Sequence, residues 1–212
     1  MSTLTGRSSE LYCIDPQDLL KLEDAPAGFG SAADEIAVLI APGRQDFLVS
    51  GRRLAEQAVR DRIPGVPVRI FFRPTIPWWN LAAVFIKPLR QKYKFTSAGV
   101  YHMSLAKLRE LKIERGFRNA ENAYKISRRW NISDEQRIAR YRELCASLQK
   151  GFDDRYPIDI MLCRRAGIKD CVDDGHHRIG ICVEHNIDRI AVRFRAAGAL
   201  PHRLQKLLLR FF

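Results

Sequence analysis

The sequence predicts a mixed α/β protein, and three observations lead to that class. Short apolar, β-rich runs such as Ile36–Ile40, Val66–Phe72 and Ile190–Phe194 alternate with segments of helical period. Glycine or proline punctuates the junctions between them. One spacing of strand, turn, helix and strand occurs twice along the chain.

The elements follow in order. Residues 1–34 are polar, rich in Ser, Gly, Asp and Ala, and read as a loose tail with a short helix near Pro16–Leu22. Ile36-Ala-Val-Leu-Ile40 lacks alternation, as a buried strand does. Pro42-Gly43 turns the chain, and Phe47–Val49 reads as a second short strand. A helix over Arg52–Arg62 fits the spacing of Leu54, Ala55, Ala58 and Val59, and Pro64-Gly65 stops it. Val66–Phe72 is a third strand, with Pro67 restricted to an early or edge position because it lacks a ladder donor.

Residues 74–96 carry Pro74, Pro77 and Pro88 and read as a bridge between two units, 35–73 and 97–195. Trp78 and Trp79 in this bridge suit either a hydrophobic clamp or a stacking surface for a base or sugar. Beyond it come a strand at Gly99–Met103 and a short helix capped by Ser104. Ser133-Asp-Glu-Gln136 is a capping box that opens a helix ending at Gly151. Strands are expected at Tyr156–Leu162, Asp170–Val172 and Ile190–Phe194, with a helix at Arg178–Asn186. The segment 196–212 reads as a C-terminal amphipathic helix. Its apolar side suits the chain's own core, a second copy of the chain in a homodimer, or a lipid surface.

Gly51 and Gly175 each follow a short strand and begin a helix. Val66 and Ile190 stand at the same distance after them, and Ile36 and Ile160 at the same distance before. The first unit therefore reads either as a degenerate copy of the second or as a product of ordinary α/β spacing.

Composition narrows the function. The 212 residues are 46% hydrophobic, enough for a substantial core, and carry a formal net charge of +12. Between Lys87 and Arg129 twelve Lys and Arg face three Glu, so this stretch supplies +9 of the surplus. Such a field suits polyanions, among them DNA, RNA, nucleotides and anionic lipid. Five cysteines without a C-x-x-C pair exclude zinc-finger spacing. The polar start Met1–Glu10 lacks a secretory pattern, and the longest apolar run, Trp78–Ile86, is too short to span a bilayer. The expectation is a cytoplasmic protein without a transmembrane segment.

Chemistry concentrates at Asp173-Asp174-Gly175-His176-His177-Arg178. Gly175 permits close approach of a ligand to the backbone, and the helix that follows aims N–H groups at the same place. His176, His177 and Arg178 add side-chain donors, Arg178 with a fork that matches phosphate. Asp173 and Asp174 offer oxygens to a magnesium ion. Gly51, Arg52 and Arg53 form a second, weaker anion site by the same logic.

Pro157-Ile-Asp-Ile160, Val172–Arg178 and Ile190-Ala-Val-Arg193, with the helix Tyr141–Gly151 and the opening Val100–Leu108, resemble the ParB/sulfiredoxin superfamily over about half of the chain. The His-His-Arg turn is the most specific part of that resemblance. It implies a nucleotide site. Sulfiredoxins carry a nucleophilic cysteine where His176 stands, so sulfiredoxin chemistry is not expected. Partition proteins carry Gly-Glu-Arg-Arg there and a helix-turn-helix reader, which is not expected in the short segment after Phe194. Free serine kinases carry an Asp-Gly-His-His turn and a glutamate near the start of the preceding helix, the place of Glu135, and are the nearest branch by motif.

By this resemblance, a nucleotide triphosphate or diphosphate with magnesium lies on Gly175, His176, His177 and Arg178. Glu135, Asp174, His176 and His177 then serve phosphoryl transfer to a small hydroxyl substrate, or nucleotide hydrolysis. Two features depart from the kinase pattern, the double Asp173-Asp174 and the basic insert 112–132. The alternative is a non-catalytic nucleic-acid-binding protein that uses the basic segment 87–129.

Overall fold

The computed structural model describes residues 6–8, 10–26, 35–40, 45–72, 94–110, 133–162 and 170–197. Trp78 and Trp79, the basic insert 112–132 and the C-terminal segment 200–212 lie outside these residues.

The described elements are β1 (Gly6–Arg7), β2 (Tyr12–Ile14), α1 (Pro16–Leu20), β3 (Glu23–Asp24), β4 (Ile36–Ile40), β5 (Asp46–Ser50), α2 (Arg52–Arg60) and β6 (Val66–Phe72). They continue with β7 (Lys94–Thr96), β8 (Tyr101–Ser104), α3 (Leu105–Glu110), α4 (Asp134–Gln149), β9 (Ile158–Met161), β10 (Cys171–Asp174), α5 (His176–Glu184) and β11 (Arg189–Ala197). The fold is mixed α/β, as the alternation of strand and helix patterns predicts. All eleven strands join one sheet in the order β10-β9-β11-β8-β2-β6-β4-β5-β3, with β1 also paired to β6 and β7 to β11.

The sheet is built twice over. In the first half β4 pairs antiparallel with β5 and parallel with β6, and β6 pairs antiparallel with β2. In the second half β9 pairs antiparallel with β10 and parallel with β11, and β11 pairs antiparallel with β8. Residue registers match as well. Tyr12 lies opposite Val68 and Tyr101 opposite Val192; Ile36 lies opposite Val68 and Ile158 opposite Val192, so the counterpart of Ile36 is Ile158 and not Ile160, which the equal spacing to the two glycines suggests. An irregularity in register interrupts β5 before Ser50 and β10 before Asp174. Even the residues with positive φ recur, at Arg62 (55°) and Asn186 (53°), two positions past the last helical residue of α2 and α5.

The halves meet where β2 pairs with β8 at Ile14 and Met103. Each half also reaches across. The Tyr12 hydroxyl donates to Asp170 Oδ2 at 2.7 Å, and the Tyr101 hydroxyl donates to Asp46 Oδ2 at 2.7 Å. One hydrophobic core runs under both halves and includes Tyr12, Ile36, Val68, Tyr101, Ile158 and Val192. Each large side chain fully buried there contributes roughly 1.5–3 kcal/mol relative to exposure.

The segment expected to be a loose tail is the main correction. Residues 6–24 supply β1, β2, α1 and β3, and β2 lies in the middle of the sheet with Tyr12 and Ile14 fully buried. A three-residue strand is too short to show alternation, and its partners Val66–Val68 and Met103 lie far along the chain. The short helix expected there is present as α1, capped by Asp15 with Pro16 at its first position. The bridge expected at 74–96 is shortened by β7, which starts at Lys94. Pro67 sits second in β6, which is an internal strand rather than an edge.

Candidate functional site

Gly175 adopts φ 100°, ψ 12°, the left-handed conformation that favours glycine. A Cβ here would lie 2.9 Å from Ile158 Cγ1 and 3.2 Å from its Cα, so the turn presses directly on β9. α5 begins at the next residue and its end has no side-chain cap. The first intrahelical bond runs from the Ile179 N–H to the Gly175 carbonyl at 3.0 Å. The amides of His176, His177 and Arg178 precede that bond, in the position where helix ends receive anions.

The side chains divide. His176 and His177 are half-buried beside the turn, and no described side chain bonds to His176. Arg178 does not take the expected role of phosphate fork. Its Nη1 donates to the Pro157 carbonyl at 3.0 Å and to the Tyr156 carbonyl, and its Nη2 to Asp174 Oδ2 at 3.2 Å, leaving the side chain 15% exposed. A helical side chain leans back over the preceding turn, and there it meets carbonyls just ahead of β9. Arg178 therefore fastens the start of β9 to α5.

The two carboxylates of the turn also part. Asp174 faces Arg178, whereas Asp173 Oδ2 pairs with Arg195 Nη1 at 3.1 Å. Arg195 also reaches Asp159 Oδ2 at 3.0 Å, and Arg193 Nε reaches Asp159 Oδ1 at 2.9 Å. Asp159 is 3% exposed, so two guanidiniums compensate one buried carboxylate. The expected pairing of Asp173 and Asp174 on one magnesium ion is not what brings these residues together; both are held by arginines. Among the described residues no three or more of His, Cys, Asp and Glu gather in a way that could hold a metal ion.

Glu135 is not brought to the turn. It is exposed in the first turn of α4, where the Ser133 side chain holds its carboxyl below the usual range. Two side-chain hydrogen bonds from α4 reach the opposite end of α5. Tyr141 donates to Glu184 Oε2 at 2.7 Å, and Gln149 Nε2 lies 3.3 Å from His185 Nδ1. The expected catalytic role of Glu135 beside His176, His177 and Asp174 therefore has no contact to carry it.

The weaker site expected at Gly51, Arg52 and Arg53 repeats the backbone but not the side chains. Gly51 has φ 86°, a Cβ there would lie 2.8 Å from the Ile36 Cα, and α2 also lacks a side-chain cap. Arg52 is occupied: Nε bonds Asp24 at 2.8 Å and Nη2 bonds the Leu22 carbonyl at 2.7 Å. Arg53 is exposed.

One cluster was not expected. His102, on β8, has Nδ1 2.9 Å from Asp18 Oδ2 and Nε2 2.9 Å from Asp154 Oδ1. Both ring nitrogens face carboxylate oxygens, an arrangement that favours the doubly protonated imidazolium over either neutral tautomer. Lys21 adds a 2.7 Å bond to Asp18 Oδ1. Hydrogen bonding to Asp18 raises the His102 pKa, burial opposes it and Asp154 adds to it. Burial alone would raise the Asp18 carboxyl, but bonds from His102 and Lys21 outweigh it and bring it to about 2. The signal in the sequence was a lone polar residue between Tyr101 and Met103 in an apolar strand.

Comparison of the chain with family models, curated proteins and solved structures gives no significant match. The class defined by the structure is a mixed α/β protein built from two like halves. No described helix is long and apolar enough to cross a membrane.

Proposed function

We propose that the chain is a nucleotide-binding protein of ParB/sulfiredoxin-like type whose phosphate site is the turn at Gly175. One observation carries the reading: a left-handed glycine opens an uncapped helix, and His176, which has no described partner, stands at its first position. Backbone amides and imidazole donors at one point are what a phosphate requires. With Arg178 and Glu135 engaged or placed elsewhere, binding is the primary role. Phosphoryl transfer to a small hydroxyl substrate, or nucleotide hydrolysis, stands as the chemistry that the motif resemblance implies, with magnesium carried on the nucleotide.

The test is a thermal-shift series with ATP, ADP, CTP and GTP, each with magnesium. A nucleotide at a hundred times its Kd raises Tm by about 5 °C or more for a chain of this size. His176→Ala removes that rise. Unchanged melting with all four nucleotides overturns the reading. The second reading, nucleic-acid binding, is favoured by the net charge of +12 and the surplus at 87–129. It predicts binding to a DNA duplex that weakens steeply between 50 and 200 mM salt, as phosphate contacts do.

A further inference from the structure

His102 sits where three parts of the molecule meet. It lies on β8 in the second half, Asp18 reaches it from α1 in the first half, and Asp154 reaches it from the loop 151–157 that joins α4 to β9. The two carboxylates are not alike. The Asp18 side chain is 2% exposed, pairs with Lys21, and accepts from the His102 backbone N–H at 2.7 Å as well as facing the ring. The Asp154 side chain is 58% exposed, and the His102 ring is its one side-chain partner among the described residues. The other charges around the ring are engaged. Arg189 on β11, whose charge disfavours the imidazolium, pairs with Asp15. Asp153 and Arg155, the neighbours of Asp154, pair with each other. β2 brings no charged residue: its Tyr12 hydroxyl is bonded to Asp170, and Cys13 is a thiol.

A neutral imidazole keeps a single N–H, so loss of one proton removes one of the two ring bonds. A proton kept on Nε2 would set the Nδ1 lone pair against a buried carboxylate, where water cannot replace the bond. A proton kept on Nδ1 sets the Nε2 lone pair against Asp154, which can turn to water. The bond to the loop is therefore the one that gives way. α1 stays in place, because the Asp15 N–H also donates to the His102 carbonyl at 2.8 Å. Further along the loop, Arg178 holds the Tyr156 and Pro157 carbonyls beside the Gly175 turn. We infer that His102 is a pH-operated latch: protonated, it holds the loop 151–157 to α1 through Asp154 and Asp18, and neutral, it keeps Asp18 and releases the loop around Asp154. Hydrogen bonding to Asp18 raises the His102 pKa above its ordinary 6.5, so the latch is closed at pH 6.5 and opens as pH climbs through the folded value.

Amide hydrogen exchange of the full chain, followed by mass spectrometry and corrected for the intrinsic rise of exchange with pH, tests the latch. In the wild type, protection of residues 153–156 is expected to fall at least about threefold between about pH 6 and about pH 9, while β8 and β11 keep theirs. Asp154→Ala, a change at an exposed side chain, should show the low protection at every pH. His102→Gln should likewise lose the pH-dependent step. Loop protection that does not change with pH in the wild type, a step that survives Asp154→Ala, or a loss shared equally by β8 and β11 would each overturn the latch.

Discussion

The turns at Gly51 and Gly175 occupy the same place in two halves of one sheet, and their side chains serve different ends. After Gly51, Arg52 reaches back to Asp24 and the Leu22 carbonyl, and so ties α2 to the far edge of the sheet. After Gly175, the residue at the same helical position is His176, which has no described partner, and the fastening duty passes to Arg178 two residues later. The backbone of the turn is thus a structural requirement in both halves, while the freedom of its first side chain is found in one. Shared geometry identifies what the fold needs; the difference identifies what it leaves over for a ligand.

The largest expected effect tests the shared part. Gly51→Ala and Gly175→Ala each force a Cβ into a left-handed residue and against a strand. The left-handed region costs roughly 1–2 kcal/mol and overpacking roughly 1–3 kcal/mol more. Urea denaturation should therefore show a loss of roughly 2–5 kcal/mol for each. Gly51→Ala should be the worse, because its Cβ would meet Ile36 Cγ1 at 2.6 Å and backbone Cα at 2.8 Å, against 2.9 Å and 3.2 Å at Ile158 for Gly175. A neutral Gly51→Ala would break the equivalence of the two turns.

How much of this was legible in the sequence follows the range of the forces involved. β4, β6, α2 and the capping box of α4 announce themselves through local pattern, and the structure places them within a few residues of expectation. α5 starts at His176 rather than Arg178, because Gly175 supplies a left-handed turn that needs no further residues to begin the helix. The turn itself was visible as a glycine between a strand and a helix. Missing were the ties that depend on distant partners. Arg178 to the Tyr156 and Pro157 carbonyls, Asp173 to Arg195 and His102 to Asp18 all join residues that no local period relates. The placement of β2 at the centre of the sheet failed to show for the same reason.

A second prediction sharpens the comparison at the centre of the sheet, where Cys13 and His102 hold corresponding positions on β2 and β8. Only the second half builds an ion cluster there, and it draws Asp18 from the first half into it. The His102 pKa is raised above its ordinary 6.5, so its contribution to stability is complete below pH 6.5 and is lost as pH rises through the folded value. Asp18 is lowered from 3.8 to about 2, so its contribution is present above pH 3.8 and is lost as pH falls toward 2. The acid limb amounts to roughly 2 kcal/mol at 1.36 kcal/mol per unit. Stability measured against pH should therefore peak between about pH 4 and 6.5. His102→Gln should remove the alkaline limb and flatten the peak, whereas Cys13→Ser should leave its shape unchanged. An alkaline limb that survives His102→Gln would show that the cluster is not its source.

The smallest effect on stability carries the most information about function. Arg53→Ala and His176→Ala change side chains at the two turns that hold no described bond, so each should shift the unfolding free energy by less than about 0.5 kcal/mol. Their effects on nucleotide binding should differ. Both helix ends present uncapped amides, so amides alone would make the sites equal. At Gly51 the side chain nearest the turn, Arg52, is already committed to Asp24, and recruiting it to a phosphate would first break two bonds. At Gly175 the neighbouring acids Asp173 and Asp174 are each paired with an arginine, which relieves their repulsion of an anion, and His176 can donate without breaking anything described. The nucleotide-dependent rise in Tm should therefore vanish in His176→Ala and persist in Arg53→Ala. A rise undiminished in both variants would mean that the amides dominate and that the two halves bind alike.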